Sequence, residues 1–273
     1  MKLEDHLGDI LRKARCHAAI GADTAAAAAG LSATELNALE NTGVAPKPLD
    51  FARLGRLLHL DPLKLERIAR GWEPAPADLS RWRELRLVAG GDATFSVNSF
   101  LIWDEVTRDA ALFDTGFDPE PVCGLIVAHA LQLRHVFITH GHQDHSAAVP
   151  QLQARFPKAR LHSHSPLAPV AQRNRPQECV ALGSLRITHR ETPGHADDGV
   201  TYIVGNWPED APAVAFVGDA LFAGSMGKAP GNAALARQKI LEQILSLPPE
   251  TLLCPGHGPL TTVAEEAANN PFF

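Results

Sequence analysis

Apolar residues recur at three- and four-residue spacing through the first quarter of the chain. Leu3, Leu7, Ile10, Leu11 and Ala14 form one such stripe, and Leu54, Leu57, Leu58, Leu60, Leu63, Leu65 and Ile68 form another. This period predicts an all-helical segment over residues 1–72. Asp23 or Thr24, Ser32 and Asp61 are placed to cap three of its helices, and Pro62 suits a first helical position. Residues 73–82 begin with Glu73-Pro74-Ala75-Pro76, a proline-interrupted stretch read as a linker. Beyond it the period changes. Short apolar runs at 85–89, 99–103, 110–113, 135–139, 160–162, 185–189, 202–204, 214–217 and 251–254 alternate with helical stretches. That alternation predicts an α/β layered-sheet domain over residues 83–273.

The composition fits this division. The 273 residues are 45% hydrophobic and 21% charged, as in ordinary globular proteins, which excludes a disordered, collagen-like or disulfide-dense chain. A formal net charge of −6 gives no global attraction to nucleic acid or anionic membrane. The N-terminal segment is charged throughout and lacks the apolar core of a secretion signal, so a cytoplasmic protein is expected. Cys16, Cys123, Cys179 and Cys254 are widely spaced and contain no CxxC pair, and free thiols are expected.

The chemistry concentrates after the predicted strands. Thr139-His140-Gly141-His142-Gln143-Asp144-His145 follows the apolar run 135–138 and offers four metal-competent side chains in six residues. Imidazoles with a carboxylate beside them suit zinc, iron or manganese. A polar loop with surface histidines is the plain alternative. Against it stand three further pieces in a consistent order: Thr192-Pro193-Gly194-His195, Phe216-Val217-Gly218-Asp219 and Cys254-Pro255-Gly256-His257. Each puts one ligand-type residue after a strand or in a glycine turn, where layered sheets build sites. His162 and His164 read as solvated loop histidines, and His6, His17, His59, His129, His135 and His189 are given no ligand role. No GxSxG signature is present, which argues against a serine nucleophile.

Together these residues resemble the metallo-β-lactamase-fold hydrolase superfamily over residues 85–273. The resemblance implies an αββα sandwich with a metal site at one edge. It implies that His140, His142 and His195 bind one divalent cation, that Asp144, His145 and His257 bind a second, and that Asp219 bridges them. Zinc is the first expectation, with iron or manganese as alternatives. Leu112-Phe113-Asp114-Thr115-Gly116 is similar to a strand-end signature of that superfamily, which implies that Asp114 supports the site from behind its ligands.

The stretch from Gly218-Asp219-Ala220-Leu221 to Gly227-Lys228, with Pro255-Gly256-His257-Gly258-Pro259 and Asn270-Pro271-Phe272, is similar to the glyoxalase II-like branch. That implies hydrolysis of a small anionic thioester by a hydroxide held between the cations. Asp144 would orient the hydroxide or carry a proton, and Lys228 would contact a substrate carboxylate. Residues 258–273 offer no counterpart to the helical glutathione-binding extension of glyoxalase II, so the likeness is to the short bacterial form. Persulfide dioxygenases belong nearby, and one iron on His140, His195 and Asp219 is the alternative. The run Gly224-Ser225-Met226-Gly227 lacks the cysteine frequent in that loop, which leans toward the short hydrolases.

Residues 24–40 resemble a phage-repressor-like helix-turn-helix: an alanine-rich helix, a Gly30-Leu31 turn, a Ser32 cap and a second helix with Leu36 and Leu39 inward. Its outward positions read Ala33, Thr34, Glu35, Asn37 and Glu40, with no arginine, lysine or glutamine to read base edges. A DNA-binding regulator is therefore disfavoured. The expected roles are homodimerisation or a cap over the catalytic pocket.

Overall fold

The computed structural model describes residues 2–91 and 96–273. The helical segment forms α1 (Leu7–His17), α2 (Ala22–Ala29), α3 (Ala33–Thr42), α4 (Phe51–Leu58) and α5 (Pro62–Ala69). Ser32 and Glu35 close a reciprocal capping box on α3, and Asp61 accepts from the Leu63 and Lys64 amides ahead of α5 with Pro62 in its first turn. The cap expected from Asp23 or Thr24 is not made. α2 starts earlier, at Ala22, and its N-cap Gly21 provides no side-chain cap.

All nine expected strands are present. The first sheet contains β1 (Leu85–Gly91), β2 (Ser96–Trp103), β3 (Asp109–Phe113), then after α6 (Glu120–Ala128), β4 (Gln132–Phe137), and after α7 (Gln143–Ser146) and α8 (Val149–Arg155), β5 (Arg160–His162). Its order is β1-β2-β3-β4-β5, antiparallel to β3 and parallel from there. The second contains β6 (Val180–Leu182), β7 (Leu185–Glu191), β8 (Val200–Gly205) and β9 (Val214–Gly218). A small hairpin, β10 (Leu221–Phe222) and β11 (Ser225–Met226), follows, then α9 (Ala233–Gln243), β12 (Leu252–Pro255), β13 (Thr261–Thr262) and α10 (Val263–Asn269). The second sheet runs β13-β12-β9-β8-β7-β6, with β12 parallel to β9.

The two-residue side-chain period of strands builds the layers. On β2, Phe100 and Ile102 face the core between the sheets, while Leu101 and Trp103 face the outer core with α6 and α8. On β9, Val214 and Phe216 face inward, and Phe216 stacks on Phe113 of the opposite sheet at 3.8 Å between ring centroids. Ala215 and Val217 face the other way, into a cluster that holds Ile240 of α9, Val263 of α10 and Leu11, Leu39, Leu54 and Leu65 of the N-terminal helices. This is an αββα sandwich whose second outer layer is shared between α9, α10 and α1–α5.

Glu40 departs from expectation. It is 4% exposed, facing α1 and not solvent, and accepts from Arg15 at 2.7 and 2.8 Å and from Arg12 at 3.4 Å. Amphipathic spacing placed it outward, but α1 covers that side of α3 with two guanidinium groups. His162 is also corrected. It is fully buried at the end of β5, 2.9 Å from His135 Nδ1 and stacked on Phe137, not a solvated loop residue. His135 lies in β4. No helix among the described residues is long and apolar enough to cross a membrane.

Candidate metal centre

Parallel strands end on the same side of a sheet, so the chain segments that follow them converge. Asp114 follows β3, residues 138–145 follow β4, Asp219 follows β9 and His257 follows β12. His195 comes from the turn between β7 and β8. Two glycines permit the approach. A Cβ on Gly256 would lie 2.3 Å from Asp219 Oδ1 and 2.5 Å from His145 Cε1. Gly218 has φ +51°, and its Cβ would lie 2.5 Å from Thr139 Oγ1. Both are under van der Waals contact, so side chains there would displace the centre.

The first cluster is His140, His142 and His195. Thr139 Oγ1 donates to Asp114 Oδ2 at 2.8 Å, so it accepts from His140 Nδ1 at 3.1 Å. His195 Nδ1 donates to the Lys228 carbonyl at 2.9 Å. Each ring thereby commits its Nδ1 proton outward and turns the lone pair of Nε2 inward. These two Nε2 atoms lie 3.0 and 3.1 Å from His142 Nδ1. Burial, followed by the neighbouring His145, pushes His140 down to about 2, and burial lowers His195 as well. Neutral imidazoles with converging lone pairs are a nitrogen donor set for a divalent cation.

The second cluster is Asp144, His145, Asp219 and His257. His145 Nδ1 donates to Asp114 Oδ2 at 2.8 Å, and its Nε2 lies 3.4 Å from Asp144 and 3.3 Å from Asp219. His257 donates from Nδ1 to the Ser96 carbonyl and turns Nε2 toward Asp144 at 3.2 Å and Asp219 at 3.4 Å. Burial works against a charged His145, yet the carboxylates around it outweigh burial and raise it far above an ordinary imidazole. The same balance raises His257 to about 9, with Asp219 the main cause. This half of the centre is a concentration of negative charge seeking a cation.

Asp219 joins the two. Its Oδ2 is 3.5 Å from His195 Nε2 in the first cluster and 3.4 Å from His257 Nε2 in the second. Its Oδ1 and the Nε2 of His145 are buried with no hydrogen-bond partner among the described residues. Orphaned buried polar atoms are rare because each costs free energy. Atoms of both ligand types, orphaned together and facing each other, fit a metal ion between them.

Asp114 stands behind this centre. It is 3% exposed, sits in the left-handed region at φ 55°, and accepts from the Thr139 amide and hydroxyl and from His145. Strained residues of this kind persist where their surroundings hold them. Thr139, which links Asp114 to His140, carries no motif signal of its own. Lys228 is exposed, and its carbonyl is the partner of His195 Nδ1.

The model of the metallo-beta-lactamase superfamily matches residues 92–257. The chain belongs to that superfamily. It is 29% identical over 204 residues to the hydroxyacylglutathione hydrolase GloC of Haemophilus influenzae, covering 66% of this chain and 93% of the relative. Other hydroxyacylglutathione hydrolases are longer, and the match spans 57–65% of their length. Among solved structures, ETHE1 from Myxococcus xanthus is similar with a TM-score of 0.59 and 33% identity, over 68% of this chain and 83% of that one. TTHA1623 in a di-iron-bound form is similar with a TM-score of 0.54 and 28% identity, over 69% of this chain and all (100%) of that one. The superfamily match begins at residue 92, so helices α1–α5 lie outside it.

Proposed function

We propose that the protein is a dinuclear metal-dependent hydrolase of a small anionic thioester. The observation that carries this reading is the pair of clusters joined by Asp219, with the buried Asp219 Oδ1 and His145 Nε2 left without partners. His140, His142 and His195 would hold one cation, Asp144, His145 and His257 the other, and Asp219 both. When bound, such a cation pair supplies a water of pKa near ~7 and a Lewis acid for the carbonyl. Asp144, less buried than Asp219, would orient that water and carry its proton. Asp114 fixes the tautomer of His145 and, through Thr139, that of His140. Lys228 anchors a carboxylate of the substrate at the rim. A thiolate leaves readily, so no strong general acid is needed.

Kinship with hydroxyacylglutathione hydrolases supports the thioester as substrate. A second reading rests on His140, His195 and Asp219, a two-histidine, one-carboxylate set that suits a single ferrous ion and oxygen chemistry on a persulfide. Elemental analysis of protein purified without chelator or oxygen separates the two. About two metal ions per chain, with hydrolysis of S-lactoylglutathione, support the hydrolase. About one iron per chain, with oxygen uptake on glutathione persulfide, overturns it.

The helices α1–α5 are read as a cap on this site. Lys13 donates to the Met226 carbonyl and pairs with Asp5, which in turn accepts from Ser225, and His17 accepts from the Ala229 amide at 3.2 Å. These contacts pin residues 225–229, the segment that follows Asp219. The solvent face of α3 keeps Ala33, Thr34, Asn37 and Ala38 and no base-reading cation, which argues against a DNA contact there.

A further inference from the structure

A cavity of about 320 Å³ opens between α1 and residues 228–231. Arg12, Lys13 and Lys228 bring three cations to its wall, and Asp9 brings one carboxylate. Two of these charges are already engaged. Lys13 is paired with Asp5, and Asp9 accepts from the His6 amide at 3.2 Å. Lys228 forms no ion pair among the described residues, and Arg12 shares the Glu40 carboxylate with Arg15, so these two guanidinium groups face one negative charge. Arg12, Lys13, Arg15 and Lys228 against Asp5, Asp9 and Glu40 leave the cavity and its ion-pair partners with one positive charge in excess.

The cavity adjoins the metal centre. A second, open hollow of about 560 Å³ lies over His142 and His195 and shares Pro230 with the first. The Lys228 carbonyl, between them, holds His195. The two hollows thus meet at Pro230, beside the residue whose carbonyl holds His195.

We propose that this cavity receives the carboxylate-bearing thiol end of the substrate, with Arg12 and Lys228 as its cationic contacts. This rests on the thioester reading above and extends it to α1. Arg12 lies outside residues 92–257, so the substrate contact comes from a part of the chain that the superfamily match does not include. The N-terminal helices thereby set which thioester is accepted, and the superfamily residues carry out its hydrolysis.

The test is equilibrium binding of a non-hydrolysable thioether, S-hexylglutathione, and of its dimethyl ester to the metal-loaded full chain. The wild type is expected to prefer the free acid, and Arg12→Ala to lower that preference about fivefold, the upper range for a partly exposed charge pair. Arg12→Lys should restore most of it. Cys16→Trp fills the cavity from the exposed side of α1 and should abolish binding of the acid while metal content stays unchanged. Equal binding of acid and ester by the wild type overturns the proposal. So does a full preference in both Arg12→Ala and Cys16→Trp. A preference that Arg12→Ala removes, in a protein that hydrolyses no thioester, supports the cavity assignment and overturns the hydrolase reading alone.

Discussion

Glu40 and Asp219 are both carboxylates that the fold withdraws from water, 4% and 7% exposed. Their surroundings differ. Glu40 lies between Arg15 and Arg12, and although burial opposes its charge, the Arg15 guanidinium leads the contacts that hold it below the usual carboxylate range. Asp219 lies among His145, His195 and His257 with one oxygen left over. A buried charge fully met by the chain's own partners is part of the architecture. One left incomplete marks a place kept for something else. Both carboxylates belong to the same molecule, so the contrast comes from design at each location and not from the chain's general chemistry.

Removal of each carboxylate should separate these roles. Asp219→Ala is expected to cost the most: both cations released, and thioester turnover reduced by more than the ~100-fold limit for loss of an outer partner. Metal analysis and initial rates read this, and the metal-free melting temperature should not fall. Retained metal and rate would break the comparison. Glu40→Ala should do the reverse. It leaves Arg15 and Arg12 without their carboxylate and is expected to cost about 1.5–3 kcal/mol of stability, seen by denaturant unfolding, with metal content unchanged.

Asp114→Asn comes next. It keeps the shape but loses the acceptor for His145 Nδ1, and the expected loss in metal affinity is about 10- to 100-fold by competition with a chelator. The smallest effect concerns a carboxylate of the Glu40 type. Asp104, after β2, accepts from the Val106, Thr107 and Ser184 amides and the Ser184 hydroxyl, tying the first sheet to the turn before β7. Burial opposes its charge, yet these donors prevail and lower it from 3.8 to about 2. A depressed folded-state value means that its stabilisation is complete above pH 3.8 and is lost as the pH falls through about 2. Asp104→Asn should therefore cost about 1.5–3 kcal/mol near neutrality and shrink to nothing at acid pH, measured by urea unfolding across that range.

Much of the sandwich and its edge is legible in the sequence, because apolar runs of about five residues mark strands and the ligand-type residues follow them directly. His140, His142, Asp144, His145, His195, Asp219 and His257 are brought together as their placement after strands suggests, with Asp114 behind them. What escapes is what distant partners decide. β6, β10, β11 and β13 are only two or three residues long and exist through their neighbours. Glu40 faces inward because α1 supplies arginines, which periodicity within α3 cannot register. His162 is buried because β5 pairs with β4 and stacks it on Phe137. The cavity beside Lys228 is walled by residues 9–17 and 228–231, segments far apart in sequence, and leaves no local trace.

That last arrangement has a consequence for how the protein is made. Asp5 meets Ser225, Lys13 meets Met226 and His17 meets Ala229 across 220, 213 and 212 positions of sequence. At about 5–20 residues per second, synthesis separates the emergence of α1 from that of its partners by roughly 10–40 s. Through that interval Asp5, Lys13 and His17 lack their partners, although the apolar side of α1 already has α3–α5 to pack on, and closing so long a loop is slow. Helices α1–α5 are synthesised before residues 225–229 yet are completed by them, so the polar contacts that α1 and Asp5 make with that segment are among the last to form.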